Sequence, residues 1–239
     1  MCSEAEYLLE MHWAERIAMA PDAGAAAALL ESFPYYANYE ELTRLEINAL
    51  LSVEPKLPAK VAFVGSGPLP LTSLQFLWAL ESGCLPGSHP AQGLSYRIGG
   101  ADGNIELLNI DHDEPAIRTA KALVAKLGPR GRGMGFMNAA AESDAYDLRR
   151  FDAVYLAALV GETQGQKENL LLKVAGKMRE GALVVMRTSW GLRSCLYPVS
   201  GRRQKEKKKK KEKRPHEYVL SVLTLLLIKI GKLGDRYHD

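Results

Sequence analysis

The chain has 239 residues, 47% hydrophobic and 25% charged, close to the globular average and enough for one large domain or one domain with a smaller companion. Three scattered cysteines (Cys2, Cys84, Cys195) without a CxxC pair exclude a disulfide scaffold and point to a reducing compartment. Five dispersed histidines offer no metal-ligand spacing, so no protein-bound metal is expected. The net charge of +3 comes from one tract: RRQKEKKKKKEKR (202–214) holds ten basic and two acidic residues, a net of +8, which leaves about −5 for the remainder.

The opening MCSEAEYLLEMHW has early acids and no apolar core, so no secretory leader is expected. Residues 3–20 read as a helix, with Leu8, Leu9, Trp13 and Ile17 at helical spacing and Ser3 and Glu4 suited to its start. PDAGAAAALLESF gives a turn and a second helix over 23–33. PYYANYEELTRLEINALL gives another turn and a third helix, with Leu42, Leu45, Glu46 and Ala49 on one side. Two prolines in SVEPKLP mark a boundary near 53–58.

An alternating pattern follows. Strands are expected at 60–64, 105–110, within GMGFMNAA, at 151–160 and at 181–189, and helices at 70–82, 114–127 and 165–178. A Gly/Pro/Ser-rich insertion fills 83–104. Near-continuous apolar strands alternating with helices imply a parallel sheet covered on both faces. The expected fold is therefore α/β: a Rossmann-like sheet domain (58–200) after a small all-helical domain (1–57), with a basic linker and tail at 201–239. The late run YVLSVLTLLLIKI fits either a last strand or an irregular tail, and at 219–228 it is about half the roughly 20 residues that cross a bilayer. No membrane association is expected, and a cytoplasmic location is. No aromatic residues interleave with the lysines, so the tract reads as a solvated linker and nucleic acid is not an expected partner. Nothing in the sequence sets an oligomeric state.

The chemistry begins at KVAFVGSGPLPLTSLQFL (60–77), a strand, a glycine turn and a helix start. Gly65, Ser66 and Gly67 let backbone pass close to a ligand, as in nucleotide-binding α/β proteins. Pro70 stands where a dinucleotide fingerprint has its third glycine, and Pro68 removes an N–H donor. A pyrophosphate would lack donors there. A sulfonium nucleoside needs none, so S-adenosylmethionine (SAM) is favoured over NAD. Asp111, at the end of the second strand, suits the ribose hydroxyls, its spacing from Gly67 stretched by the insertion. The competing reading, an N-cap, fits Asp113 better, because Glu114 and Pro115 follow it. Small residues in LAALVG (156–161) make Ala158 and Leu159 nucleoside-lining candidates, although taken alone the stretch reads as close packing.

VAFVGSGPLPLTS, LLNIDHDEPAI, FDAVYLAALVG and VVMRTSWGLRSCLYPV, with AEYLLEMHWA and FPYYANYEELTRLE, together resemble the nicotianamine synthase family over roughly residues 3–199, most closely its shorter fungal or archaeal type. The resemblance implies a helical domain on a SAM-binding domain. It also implies transfer of the 3-amino-3-carboxypropyl arm of SAM to an amine, with methylthioadenosine released and nicotianamine, a metal chelator, as product. It assigns proton abstraction to a glutamate and a tyrosine of the helical domain. By position in the motifs these are Glu10, as base, and Tyr36, to orient or relay. Tyr39, Glu46 and Arg187 follow as candidates for the substrate's ammonium and carboxylate groups. Two departures stand out: the chain opens only a few residues before AEYLLE, and after LYPV the lysine tract replaces the family's closing strands and their asparagine-serine pair. A SAM-dependent methyltransferase on the same fold, and an inactive relative serving as a binding protein, are the alternatives.

Overall fold

The computed structural model describes residues 2–87, 105–157, 164–188 and 224–230. Three helices come first: α1 (Cys2–Ala18), α2 (Ala23–Glu31) and α3 (Tyr36–Val53). Asp22 starts α2, its side chain accepting from Ala25 N at 2.8 Å. Along α3 the buried positions are Thr43, Glu46, Ile47 and Leu50, one stripe at helical spacing. Two of those four are polar, and that sets up the site.

The sheet elements follow as β1 (Lys60–Val64), α4 (Leu71–Ser82), β2 (Glu106–Asp111), α5 (Glu114–Leu127), β3 (Met134–Asn138), β4 (Ala153–Leu156), α6 (Gln164–Gly176), β5 (Leu183–Thr188) and β6 (Thr224–Lys229). Their order across the sheet is β3-β2-β1-β4-β5-β6. The first five run parallel and β6 pairs antiparallel with β5, from Leu183 opposite Lys229 to Thr188 opposite Thr224. The open question of the late apolar run is thereby answered: residues beyond the lysine tract return as an edge strand. Backbone bonds Gly181 N to Ile230 O (2.8 Å) and Ile230 N to Ala182 O (2.9 Å) continue that ladder. Strand β4 is shorter than the expected 151–160. Its first expected residues lie in a turn, with Phe151 N donating to Leu148 O, and 158–160 are outside the described residues.

The strand alternation sorts the core. Ala62, Val64, Ile110, Val154, Leu156, Val184 and Met186 point to one face, against Leu170 and Val174 of α6. Val61, Phe63, Leu107, Tyr155 and Val185 point to the other, against Ile47 and Leu50 of α3 and Phe76, Leu77 and Leu80 of α4. A third cluster joins Ala14 and Ile17 of α1, Ala26 and Leu30 of α2, Leu71 and Leu74 of α4, and Leu123, Val124 and Leu127 of α5. The N-terminal helices thus bury their apolar faces against the sheet unit. Order β3-β2-β1-β4 puts the topological switch between β1 and β4, and ligands of open α/β sheets bind outside the carboxyl ends of the strands at that point. No described helix is long and apolar enough to cross a membrane.

Candidate active site

At the switch the chain leaves β1 through Gly65 (φ 79°) and Gly67 (φ 65°), left-handed backbone that side chains disfavour. Gly65 N and Ser66 N both donate to Ile110 O at the end of β2, at 2.8 and 3.2 Å. Gly67 N donates to Asp111 Oδ2 at 2.9 Å. Asp111 Oδ1 accepts from Asp113 N at 3.0 Å, and Asp113 caps α5 by accepting from Ala116 N. The carboxylate that sequence reasoning assigned to a ribose is therefore also the brace of the glycine turn. A carboxylate has about four acceptor positions, so ligand hydroxyls can still be taken. Ala158 and Leu159 lie outside the described residues.

Helix α1 brings Glu10 over this turn. A Cβ built on Gly67 would sit 3.0 Å from Glu10 Oε2, so a side chain there would have to push the carboxyl aside. Glu10 Oε1 accepts from Tyr39 Oη at 3.1 Å. The side chain keeps some surface, but its carboxyl is enclosed. Burial above all pushes its pKa up from 4.5 to about 7. The Tyr39 hydrogen bond opposes that rise, Glu6 adds to it, Arg187 opposes it, and Asp111 adds to it. Tyr39 is itself held well above its ordinary value, first by burial and then by the Glu10 charge. It stays a neutral donor.

Behind Tyr39 lies a buried ion pair. Arg187 of β5 donates to Glu46 of α3 through Nε to Oε1 at 2.6 Å and Nη2 to Oε2 at 3.2 Å, a two-point fork. Nη2 also donates to Thr72 Oγ1 on α4 at 2.8 Å. Glu46 is wholly buried and the Arg187 side chain is 13% exposed. The guanidinium lies 6.0 Å from the Tyr39 ring centre. Burial pulls the Arg187 pKa down, but the Glu46 charge and hydrogen bonds outweigh that and the balance is upward.

The structure thus brings together Glu10, Tyr39, Gly67 and Asp111, with Arg187 and Glu46 one layer behind. Tyr36, three residues before Tyr39 on α3, packs against the cluster of Ala14, Ile17 and Leu30, and burial raises its pKa. Tyr36 and Tyr39 both start α3 on one face, and spacing alone does not say which reaches α1. Sequence reasoning also missed Tyr7, which bonds to Asp113, and Thr72, which accepts from Arg187. Tyr7 had a signal, since it lies one helical turn before Glu10. Among the described residues no group of three or more His, Cys, Asp or Glu is placed to hold a metal ion. A carboxyl that titrates near neutrality, aimed at a ligand turn and steadied by a phenol, can accept a proton from a bound substrate at physiological pH.

Gly67→Ala follows as a first expected result. The left-handed φ costs roughly 1–2 kcal/mol for a residue with a Cβ, and that Cβ would press Glu10 away. Urea unfolding should show the loss, and a change within 0.3 kcal/mol (well under the cost of that conformation) would contradict it.

Fold and site define a Rossmann-like α/β protein whose glycine turn is overhung by a helix-borne acid. The chain belongs to the nicotianamine synthase family, whose model, described as "Nicotianamine synthase protein", matches residues 1–223. Nicotianamine synthase 2 of Arabidopsis thaliana is 33% identical over 199 residues, 83% of this chain and 55% of that protein. Nicotianamine synthase of Solanum lycopersicum is 34% identical over 200 residues, again 83% and 55%. The chain spans about half the length of the curated relatives it matches. A crystal structure of a glutamate-to-glutamine mutant of MtNAS in complex with S-adenosylmethionine superposes with a TM-score of 0.59 at 20% identity, covering 83% of this chain and 63% of that one. MtNAS in complex with MTA and tNA gives 0.59 at 19%, covering 82% and 60%. At that identity the likeness shows the shared fold.

Proposed function

We propose that this chain is a nicotianamine synthase-like transferase, moving the 3-amino-3-carboxypropyl group of SAM to an amine and releasing methylthioadenosine, with nicotianamine as the product. The observation that carries this reading is the Glu10 carboxyl resting against Gly67 with Tyr39 bonded to it. The acceptor amine must be neutral to attack, yet near pH 7 it is mostly protonated. Glu10, titrating near 7, takes its proton. The nitrogen then bonds to the carbon beside the sulfonium, the carbon–sulfur bond breaks, and its electron pair stays on sulfur as neutral methylthioadenosine leaves.

Gly65, Ser66, Gly67 and Asp111 hold the nucleoside. Ala158 and Leu159 remain proposed lining residues. Tyr39 takes the orienting role expected of Tyr36, because Tyr39 is the phenol that donates to Glu10. Tyr36, on the same face of α3, stays a candidate for relaying the proton. Arg187 and Glu46 spend their hydrogen bonds largely on each other, so we assign them to holding α3 and Tyr39 rather than to the substrate's charges. The helical unit (1–57) supplies the proton chemistry and the sheet unit (58–200) the nucleoside site. A cytoplasmic location is part of the proposal and rests on the sparse cysteines.

The test is SAM alone. Incubation should yield methylthioadenosine and nicotianamine with no other substrate. Adenosylhomocysteine with an added acceptor, and no methylthioadenosine, would instead mean a methyltransferase. SAM bound without turnover would mean a binding protein.

A further inference from the structure

We propose that Tyr7 is a positioning residue that fixes the register of α1 against the nucleoside turn and so holds Glu10 at the reacting amine. The inference rests on the reading of Glu10 as the base. It begins with where α1 is anchored. Its buried apolar residues, Ala14 and Ile17, are both in its C-terminal half, packed with Leu123, Val124 and Leu127 of α5. In the N-terminal half Leu8 is 59% exposed. Leu9 and Trp13, on either side of Glu10, pack against the same cluster but are only partly buried. The apolar grip therefore weakens toward the start of the helix and leaves its exact register to polar contacts.

A ring of contacts sets that register. Tyr7 Oη donates to Asp113 Oδ2 at 2.5 Å. The same oxygen accepts from Ala116 N at 3.1 Å, so it is fixed to the first turn of α5. Asp113 N donates to Asp111 Oδ1 at 3.0 Å, and Asp111 Oδ2 accepts from Gly67 N at 2.9 Å. From Gly67 the path returns to Glu10 Oε2, in contact with the glycine's open side. Glu10 is three residues beyond Tyr7 on α1, hence on the same helix face. Three links are side chains bonded to backbone or to a cap at the end of a rigid element, and the fourth is the close approach of the Glu10 carboxyl to Gly67. The ring therefore transmits position from the turn that holds the ligand to the helix that carries the base.

Displacements of about 1 Å at a reacting centre cost up to about 10²-fold in rate. Tyr7→Phe should then lower kcat for methylthioadenosine release by roughly 10- to 100-fold. SAM affinity should stay within about threefold and the thermal midpoint nearly unchanged, because the nucleoside turn and the apolar anchor are intact. Asp113→Ser keeps a cap for α5 but is too short to reach Tyr7, and should give the same loss. It also serves if Tyr7→Phe does not fold. Combining the two should cost no more than either alone, since both break one link. An unchanged kcat, additive losses, or kcat, SAM affinity and thermal midpoint falling together would each overturn the role of Tyr7. Wild-type chain assayed in parallel separates the two readings: an active wild type with indifferent variants removes only the positioning role, while a wild type that makes no methylthioadenosine removes both.

Discussion

Glu10→Gln is expected to lower methylthioadenosine release by about 10²–10⁴-fold while SAM binds as before. The substitution keeps the shape of the side chain and an oxygen for the Tyr39 hydroxyl, and removes only the ability to accept a proton. Losing kcat without losing SAM affinity is the signature of a group used in the chemical step rather than in ground-state binding. Single-turnover release and SAM calorimetry on the same preparation would show it. Turnover within threefold of wild type, far short of the factor a general base supplies, would remove Glu10 from the mechanism.

The same variant carries a stability signature that needs no substrate. The carboxyl has a folded pKa of about 7 against 4.5 when free, chiefly through burial. A folded value raised above the free one means the contribution to stability is fully present below about pH 4.5. It is lost progressively as pH rises toward 7, and above that the native state bears the full cost of a buried charge. Each tenfold change in proton affinity is worth about 1.4 kcal/mol, so the rise amounts to about 3.5 kcal/mol at most, and solvent at the partly exposed side chain brings it to roughly 2–3 kcal/mol. Glutamine is neutral throughout. Glu10→Gln should therefore equal wild type near pH 4 and exceed it at pH 8 by that order. Glu6, Asp111, Arg187 and Tyr39 also face the carboxyl, and all are unchanged in the variant. Urea unfolding at the two pH values gives the comparison, and a variant less stable than wild type at pH 8 would refute it.

Much of this fold was legible because its strands are buried on both faces and read as unbroken apolar runs, such as KVAFV at β1. The cap at Asp113 was legible from the residues after it. What stayed hidden depended on how distant elements cross. Glu46 sits on α3 among apolar neighbours, and nothing local says that its partner is Arg187, 141 residues away. Tyr36 and Tyr39 share a face of α3, and only the crossing of α1 and α3 sets the Tyr39 hydroxyl on Glu10. Strand β6 was ambiguous because a short apolar run fits a strand or a buried tail equally, and only its ladder to β5 decides. The family was legible further than the geometry, because it came from motifs whose resemblance the family match shares.

Arg187→Met is expected to destabilise the protein by about 3–5 kcal/mol, the cost of leaving a buried carboxylate without its partner. Glu46 has no exposed surface, so water cannot replace the two guanidinium bonds. Thr72 loses its donor as well. The loss should not equal the worth of the pair, because two charges withdrawn from water already cost about as much as their attraction returns. Adding Glu46→Leu to Arg187→Met should therefore recover most of the stability, since no charge is then buried. It should not recover activity, because the fork that joins α3 to β5 behind Tyr39 is gone and the phenol is no longer held at Glu10. Chemical denaturation of the single and double variants, beside their methylthioadenosine release, separates the two effects. A single-variant loss below about 1 kcal/mol would mean that solvent reaches the pair, as at exposed ion pairs. A fully active double variant would mean that Tyr39 is positioned without the fork.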